Sequence, residues 1–107
     1  GGIADGLLAI RPGDITFRHI AAEVDEIVTV DDQDIAQAVG WLYRHARLVV
    51  EPSGAAGVAA VLSCREASWS RDGMTINLEA GGPIVAVLSG GNVDPAAFSR
   101  YILWRSP

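Results

Sequence analysis

Lysine is absent from this chain: its eight basic residues are all arginine, at positions 11, 18, 44, 47, 65, 71, 100 and 105. A guanidinium stays protonated and is a poor nucleophile at neutral pH, so no side chain here can condense with a carbonyl or serve as an amine base. Cysteine is nearly as scarce. Cys64 stands alone, which excludes an internal disulfide and fits a reducing compartment. Its plain reading is a small buried residue near a helix end. Long apolar runs are missing too, since the Gly- and Ala-rich stretch from Ser53 to Cys64 is too short to span a bilayer. With no charged leader ahead of an apolar segment and cleavage site, the expectation is a soluble, cytoplasmic protein without membrane contact. Positive charge is also in deficit. Thirteen acids against eight bases give a net charge of -5, and the bases are scattered, unlike the clustered footprint that neutralises nucleic-acid phosphates. Nucleic acid is therefore not expected as a partner.

What is present favours a packed body. Half of the 107 residues are hydrophobic and a fifth are charged, a balance opposite to that of disordered chains. The length suits a single domain or part of one, residues 1–107, with a thin core.

"GGIADGLLAIRPGD" reads as extended chain closed by the Pro12-Gly13 turn. Asp14 is placed to cap a short helix whose Phe17, Ile20, Ala21 and Val24 share one face. "EIVTV", Glu26 to Val30, is β-branched and reads as a strand. Asp31 and Asp32 are N-cap candidates for a longer helix with Ile35, Val39, Leu42 and Ala46 on one stripe. After "LVV", Glu51-Pro52 opens a helix made almost wholly of Gly, Ala, Val and Leu, with proline at its first position. That composition predicts a buried helix. Glycine in a helix costs about 1 kcal/mol relative to alanine, so Gly54 and Gly57 point to close approach by another backbone or a ligand. The segment Arg65 to Gly82 is irregular, apart from alternation at Met74 to Leu78 that allows a strand. "PIVAVLS", Pro83 to Ser89, reads as a strand covered on both faces, as in a parallel sheet. A last helix starts at Asp94-Pro95 and turns Phe98, Tyr101 and Ile102 inward. Strands alternating with helices predict an α/β layer architecture with short, at least partly parallel strands and flanking helices.

"VAVLSGGNVDP" is an apolar run that ends in small residues and enters a helix. Such an ending leaves space at the edge of a sheet where α/β proteins bind ligands, and Gly90 and Gly91 let backbone approach a ligand closely. A strand-to-helix turn that merely needs unusual backbone angles explains the same letters. The spacing alone leaves both readings open, because "SGGN" is not a phosphate loop of the G-x-x-x-x-G-K-[ST] kind.

Three segments taken together go further. "IADGLLAIRPGDITFRHIAAEVDEIVTVDDQDIAQAV", "LVVEPSGAAGVAAVLS" and "VAVLSGGNVDP", in this order, resemble the C-terminal part of the serine/threonine dehydratases and serine racemases, which are fold-type II pyridoxal-phosphate enzymes. The resemblance implies part of that family's three-layer large domain. It implies that Ser89 hydrogen-bonds the pyridine nitrogen of the cofactor, with Gly90 beside it. A neutral hydroxyl, unlike a carboxylate, does not force that nitrogen to be protonated, which favours loss of water over transamination. Glu51 of "EPSGA" would stand close to the cofactor, Asp5 and Gly6 of "IADG" would line the same cavity, and Asn92 would help to fix the serine loop. Helix capping for Glu51 and turn formation for Asp5, Gly6 and Asn92 are the structural alternatives.

Enzymes of the family hold pyridoxal phosphate as a Schiff base with a lysine. Their glycine-rich phosphate loop and acidic metal site precede "IADG". Three function classes follow. The first is the C-terminal segment of such a dehydratase, catalytically incomplete alone, with no catalytic residue of its own and no covalently bound cofactor. The second is a non-catalytic binding or oligomerisation module derived from that family. The third, an unrelated small enzyme, has little support: His19 and His45 have no partners at metal-ligand spacing, and no nucleophile lies in a G-x-S-x-G elbow. The expected partner is a second copy, or a chain supplying the lysine-bearing portion, because apolar strand edges invite pairing.

Overall fold

The computed structural model describes residues 2–64, 68–71, 74–77 and 82–104. Among these residues four α-helices run in chain order: α1 (Asp14–Glu23), α2 (Asp32–Trp41), α3 (Pro52–Ser63) and α4 (Pro95–Ile102). A single 3-10 turn occupies Asp5–Leu7, where extended chain is expected from the sequence, and a π-helical turn, Leu42–Ala46, continues α2. Between α3 and α4 lies an antiparallel hairpin, β1 (Ser68–Arg71) and β2 (Met74–Asn77), with Trp69 opposite Ile76. The rest of the irregular segment, including Leu78, lies outside the described residues.

Helix starts follow local chemistry. Asp31 is the N-cap of α2; its carboxylate accepts from the Asp34 amide at 2.8 Å, while Asp34 accepts from the Asp31 amide at 3.4 Å, a reciprocal capping box. Asp94 caps α4 by accepting from the Ala97 amide at 2.9 Å, and Pro95 takes the first helical position, where its missing N–H costs nothing. Asp14 differs from expectation. Gly13 is the N-cap of α1, and Asp14 is the first helical residue, paired with Arg11 at 3.1 Å.

The core lies where α2, α3 and α4 meet. Ile35, Ala38, Val39 and Leu42 from α2 and its extension pack against Val50, Ala55 and Ala59. Ile3, Ala4, Val30, Phe98 and Tyr101 close over them. Alanines at the crossing let α2 and α3 approach closely, and Gly40 does the same for α4, since a Cβ there would stand 2.8 Å from the Tyr101 carbonyl oxygen. Tyr43 meets Phe98 edge to face, with centroids 5.4 Å apart. Arg44 donates to the Ile102 carbonyl at 2.9 Å, satisfying an orphan acceptor at the end of α4. Ile102 is half-buried but is not among the residues packed on the core.

Three expectations need correction. Ala46 does not continue the buried stripe of α2; the π turn widens the helix just before it, and it is exposed. Arg47 then ends the segment in the left-handed region, with φ 57°. Helix α3 is buried on one face only: Pro52, Gly54, Ala55 and Ala59 are inside, while Gly57 and Leu62 are exposed.

The third correction concerns the sheet. No parallel pair occurs among the described residues; residues 26–30, 48–51 and 83–94 lie outside the helices and form no ladder. One backbone bond joins the last two of these segments, from the Glu51 amide to the Gly90 carbonyl at 3.1 Å. Pro83 to Ser89, expected to be covered on both faces, is mostly exposed, with Val85 at 84% and Val87 at 78%. A strand needs a partner's backbone along its length to satisfy its N–H and C=O groups, and among the described residues these segments share only the Glu51–Gly90 bond.

Candidate functional site

Residues singled out from the sequence converge on the first turn of α3. Glu51 is the N-cap of that helix by backbone conformation, and its carbonyl accepts from the Gly54 and Ala55 amides at 3.0 and 3.1 Å. Its side chain makes no capping hydrogen bond. The carboxylate instead lies over Gly90, whose φ of 73° favours glycine and whose Cα has no room for a side chain, because any Cβ would overlap the Glu51 carboxylate. The capping alternative therefore holds for the Glu51 backbone and not for its carboxylate.

Gly54 meets the same loop from below. A Cβ on it would collide with the Ser89 carbonyl, so the helix and the serine loop are in backbone contact. Gly91 is equally tight, its hypothetical Cβ standing 2.9 Å from the Val49 carbonyl oxygen. Gly57, the other helical glycine, faces the Val87 carbonyl oxygen at an ordinary 3.7 Å. Close approach is thus a property of Gly54 and of the loop glycines.

Gly6 reaches the site through Ser53. Its amide donates to the Ser53 hydroxyl at 2.8 Å, tying the Asp5–Leu7 turn to the second residue of α3. A second tie, from the Ile3 amide to the Asp32 carboxylate at 3.1 Å, fixes the same N-terminal segment to the start of α2. Asp5 lies in this turn and is exposed, and its carbonyl accepts from the Leu8 amide at 3.4 Å. Ser89 is exposed, and its hydroxyl engages no hydrogen bond among the described residues. Asn92 is exposed as well; the loop is closed by the Val93 amide donating to the Gly91 carbonyl at 3.0 Å, without the Asn92 side chain.

Ser53 was not among the residues singled out from the sequence, although it is the one polar residue between Pro52 and Leu62. A hydroxyl in the first turn of a helix otherwise built of Gly, Ala, Val and Leu as far as Leu62 is the signal that could have marked it. Cys64 ends α3, its thiol donating to the Ala60 carbonyl at 3.3 Å, and burial pushes its pKa up. A thiol held protonated in this way is a poor nucleophile. No group of three or more His, Cys, Asp or Glu residues among those described could hold a metal ion, and no helix of the described residues is long and apolar enough to cross a membrane.

Residues 1–90 match the family described as pyridoxal-phosphate dependent enzymes. The chain belongs to that family. An L-threonine ammonia-lyase from Thermotoga maritima is 40% identical over 101 residues, covering 94% of this chain and 22% of that protein. A serine racemase from Arabidopsis thaliana is 43% identical over 94 residues, covering 86% of the chain and 26% of that protein. An L-threo-3-hydroxyaspartate ammonia-lyase from Saccharomyces cerevisiae is 33% identical over 100 residues, covering 94% and 27%. The chain thus spans about a quarter of the length of these curated relatives. No solved structure matches the chain significantly.

Pyridoxal phosphate is the cofactor of this family, and the residues present fit one end of it. An exposed serine hydroxyl with no partner among the described residues, on a glycine loop packed through contacts that admit no Cβ, suits a neutral hydrogen bond to a ring nitrogen. The amine that would hold the carbonyl end is not found in these 107 residues. Membership of the family also supports the α/β class at the level of the whole fold.

Proposed function

We propose that this chain is the C-terminal segment of a serine/threonine dehydratase-like protein, removing water from hydroxy amino acids, and that it supplies the wall of the site facing the cofactor's ring nitrogen. The observation carrying this reading is the serine loop, seated on α3 through Gly54 and Gly90, neither of which has room for a side chain. Relatives named as L-threonine ammonia-lyase and serine racemase support the choice of chemistry.

When bound, the cofactor withdraws electrons from the substrate's α-carbon and so eases loss of the β-hydroxyl. The contribution of this chain is positional. Ser89 offers an uncharged hydroxyl that accepts or donates without forcing a proton onto the ring. Gly90 and Gly91 let the loop lie against the Glu51 carboxylate and the Val49 carbonyl, where no Cβ would fit, and Gly54 fixes its height by direct contact with the Ser89 carbonyl. Glu51 holds a carboxylate against the loop, and Gly6, held by Ser53, brings the Asp5 turn to the same end of α3. Asn92 is proposed as a boundary of the pocket on the α4 side. Catalysis requires a lysine from polypeptide beyond these residues. We place the protein in the cytoplasm, acting with that polypeptide or as a homo-oligomer.

A chimera tests this. The corresponding quarter of the Thermotoga maritima L-threonine ammonia-lyase is replaced by this chain, and keto-acid formation from L-threonine and L-serine is followed. The chimera should turn over, and Ser89→Ala should lower the rate at least tenfold, about 1.4 kcal/mol of lost stabilisation, with a shifted cofactor absorption band. A folded, cofactor-loaded chimera indifferent to Ser89→Ala would contradict the assignment.

A further inference from the structure

The first turn of α3 carries two separate ties. Through Glu51 and Gly54 it seats the serine loop: the Glu51 amide donates to the Gly90 carbonyl at 3.1 Å, and Gly54 lies against the Ser89 carbonyl. Through Ser53, half-buried between the buried Pro52 and Gly54, it receives the Gly6 amide at 2.8 Å. Among the described residues this is the hydrogen bond that joins the Asp5–Leu7 turn to α3. The turn's other bonds are local, from the Leu7 amide to the Ala4 carbonyl and from the Leu8 amide to the Asp5 carbonyl, while Ile3 upstream is tied to Asp32 of α2 instead. Removing the Ser53 hydroxyl would therefore free the turn and leave the serine loop seated.

Glycine at position 6 answers to this contact and not to its backbone angle. The positive-φ glycines among the described residues are Gly82 and Gly90, and Gly6 lies in a 3-10 turn whose angles other residues adopt. What leaves no room for a side chain is Ser53 itself: a Cβ on Gly6 would stand 2.7 Å from the Ser53 Oγ and 3.0 Å from its Cβ. The bare Cα at 6 and the hydroxyl at 53 are two halves of one contact. We propose that Ser53 is a positioning residue of the site, holding the Asp5 turn at a fixed separation from Ser89 because both are fastened to the same helical turn. The inference rests on the functional reading above and deepens it, by giving two walls of the site separable anchors. Its effect is felt between those walls and not at the Ser89 hydroxyl.

The chimera with the Thermotoga maritima enzyme tests it. In the cofactor-loaded chimera Ser53→Ala should lower kcat/KM for L-threonine about tenfold, as a misplaced site wall does, without moving the cofactor absorption band that Ser89→Ala shifts. Ser53→Thr, which keeps the hydroxyl, should restore the rate. Gly6→Ala should lower it as well, and in the double variant with Ser53→Ala the two losses should not add, because both break one contact. Apart from turnover, hydrogen exchange in the Ser53→Ala chimera should quicken at the Gly6 amide and stay unchanged over residues 89–93. An unaltered kcat/KM in Ser53→Ala, a shifted band, failure of threonine to restore the rate, additive losses or an indifferent Gly6 amide would each overturn the inference while leaving the assignment of Ser89 intact. A chimera without turnover even with Ser53 and Ser89 in place would overturn the functional reading, and this inference with it.

Discussion

The two sides of α2 and α3 treat similar residues in opposite ways. Where the helices cross, Ala38, Val39, Ala55 and Ala59 are wholly shielded from solvent. Around the periphery, Ile10, Ile15, Val85 and Val87 are each more than 70% exposed. The difference lies in what each segment has beside it. A helix satisfies its own backbone and needs only a face to pack on, and α2 and α3 provide that for each other. The extended segments at 26–30 and 83–88 need lateral neighbours to complete a ladder, and α1 needs a surface for its apolar face. The inner helices form a self-sufficient unit, whereas the outer segments carry surface suited to further contacts.

Truncation on the two sides breaks or sharpens this contrast most strongly. Ile35→Ala should lower stability by about 2–5 kcal/mol in denaturant unfolding, as expected for a large side chain removed from a packed site. Val85→Ala on the exposed stretch should stay within about 0.5 kcal/mol. Equal losses at the two positions would mean that the periphery is as well packed as the core. Gly54→Ala comes next. Its Cβ has to displace the Ser89 carbonyl, so a loss of about 1–3 kcal/mol is expected, together with faster amide exchange in the serine loop; a silent substitution would show that the helix–loop contact is loose.

Smaller effects test the ends of the helices. Asp31→Ala removes the acceptor of the Asp34 amide and should cost about 1 kcal/mol, with Asp31→Asn recovering most of it in the same unfolding assay. Ser53→Ala should cost about 0.5–1.5 kcal/mol, and its more telling readout is the Gly6 amide, whose exchange should speed up while that of the α2 amides does not change. Ser53→Thr, which keeps the hydroxyl, should restore the protection.

Much of this was legible in the letters because it depends on local chemistry. Asp31 and Asp94 before helices, Pro52 and Pro95 at first helical positions, and the Ile35–Val39–Leu42 stripe each follow from rules that reach only a few residues along the chain. The need for glycine at 54 and 90 was legible as a pattern, although only the structure identifies the Ser89 carbonyl and the Glu51 carboxylate as what crowds them. The parallel strands were expected because 26–30 and 83–89 have the right composition, but a strand is a relation between segments, and composition reports one partner at a time. Ala46 left its stripe through a π turn that no residue in "LYRHA" announces. The role of Ser53 is not legible in the sequence because its partner, Gly6, is 47 positions away.

The property on which the chemistry turns is the side-chain amine that these residues do not provide. The purified chain, incubated with pyridoxal phosphate and L-threonine or L-serine, should form keto acid no faster than the free cofactor does, and borohydride should leave no side chain labelled. Sustained turnover by the unaccompanied chain, or a reduced adduct mapped to any residue other than the N-terminal amine, would contradict it.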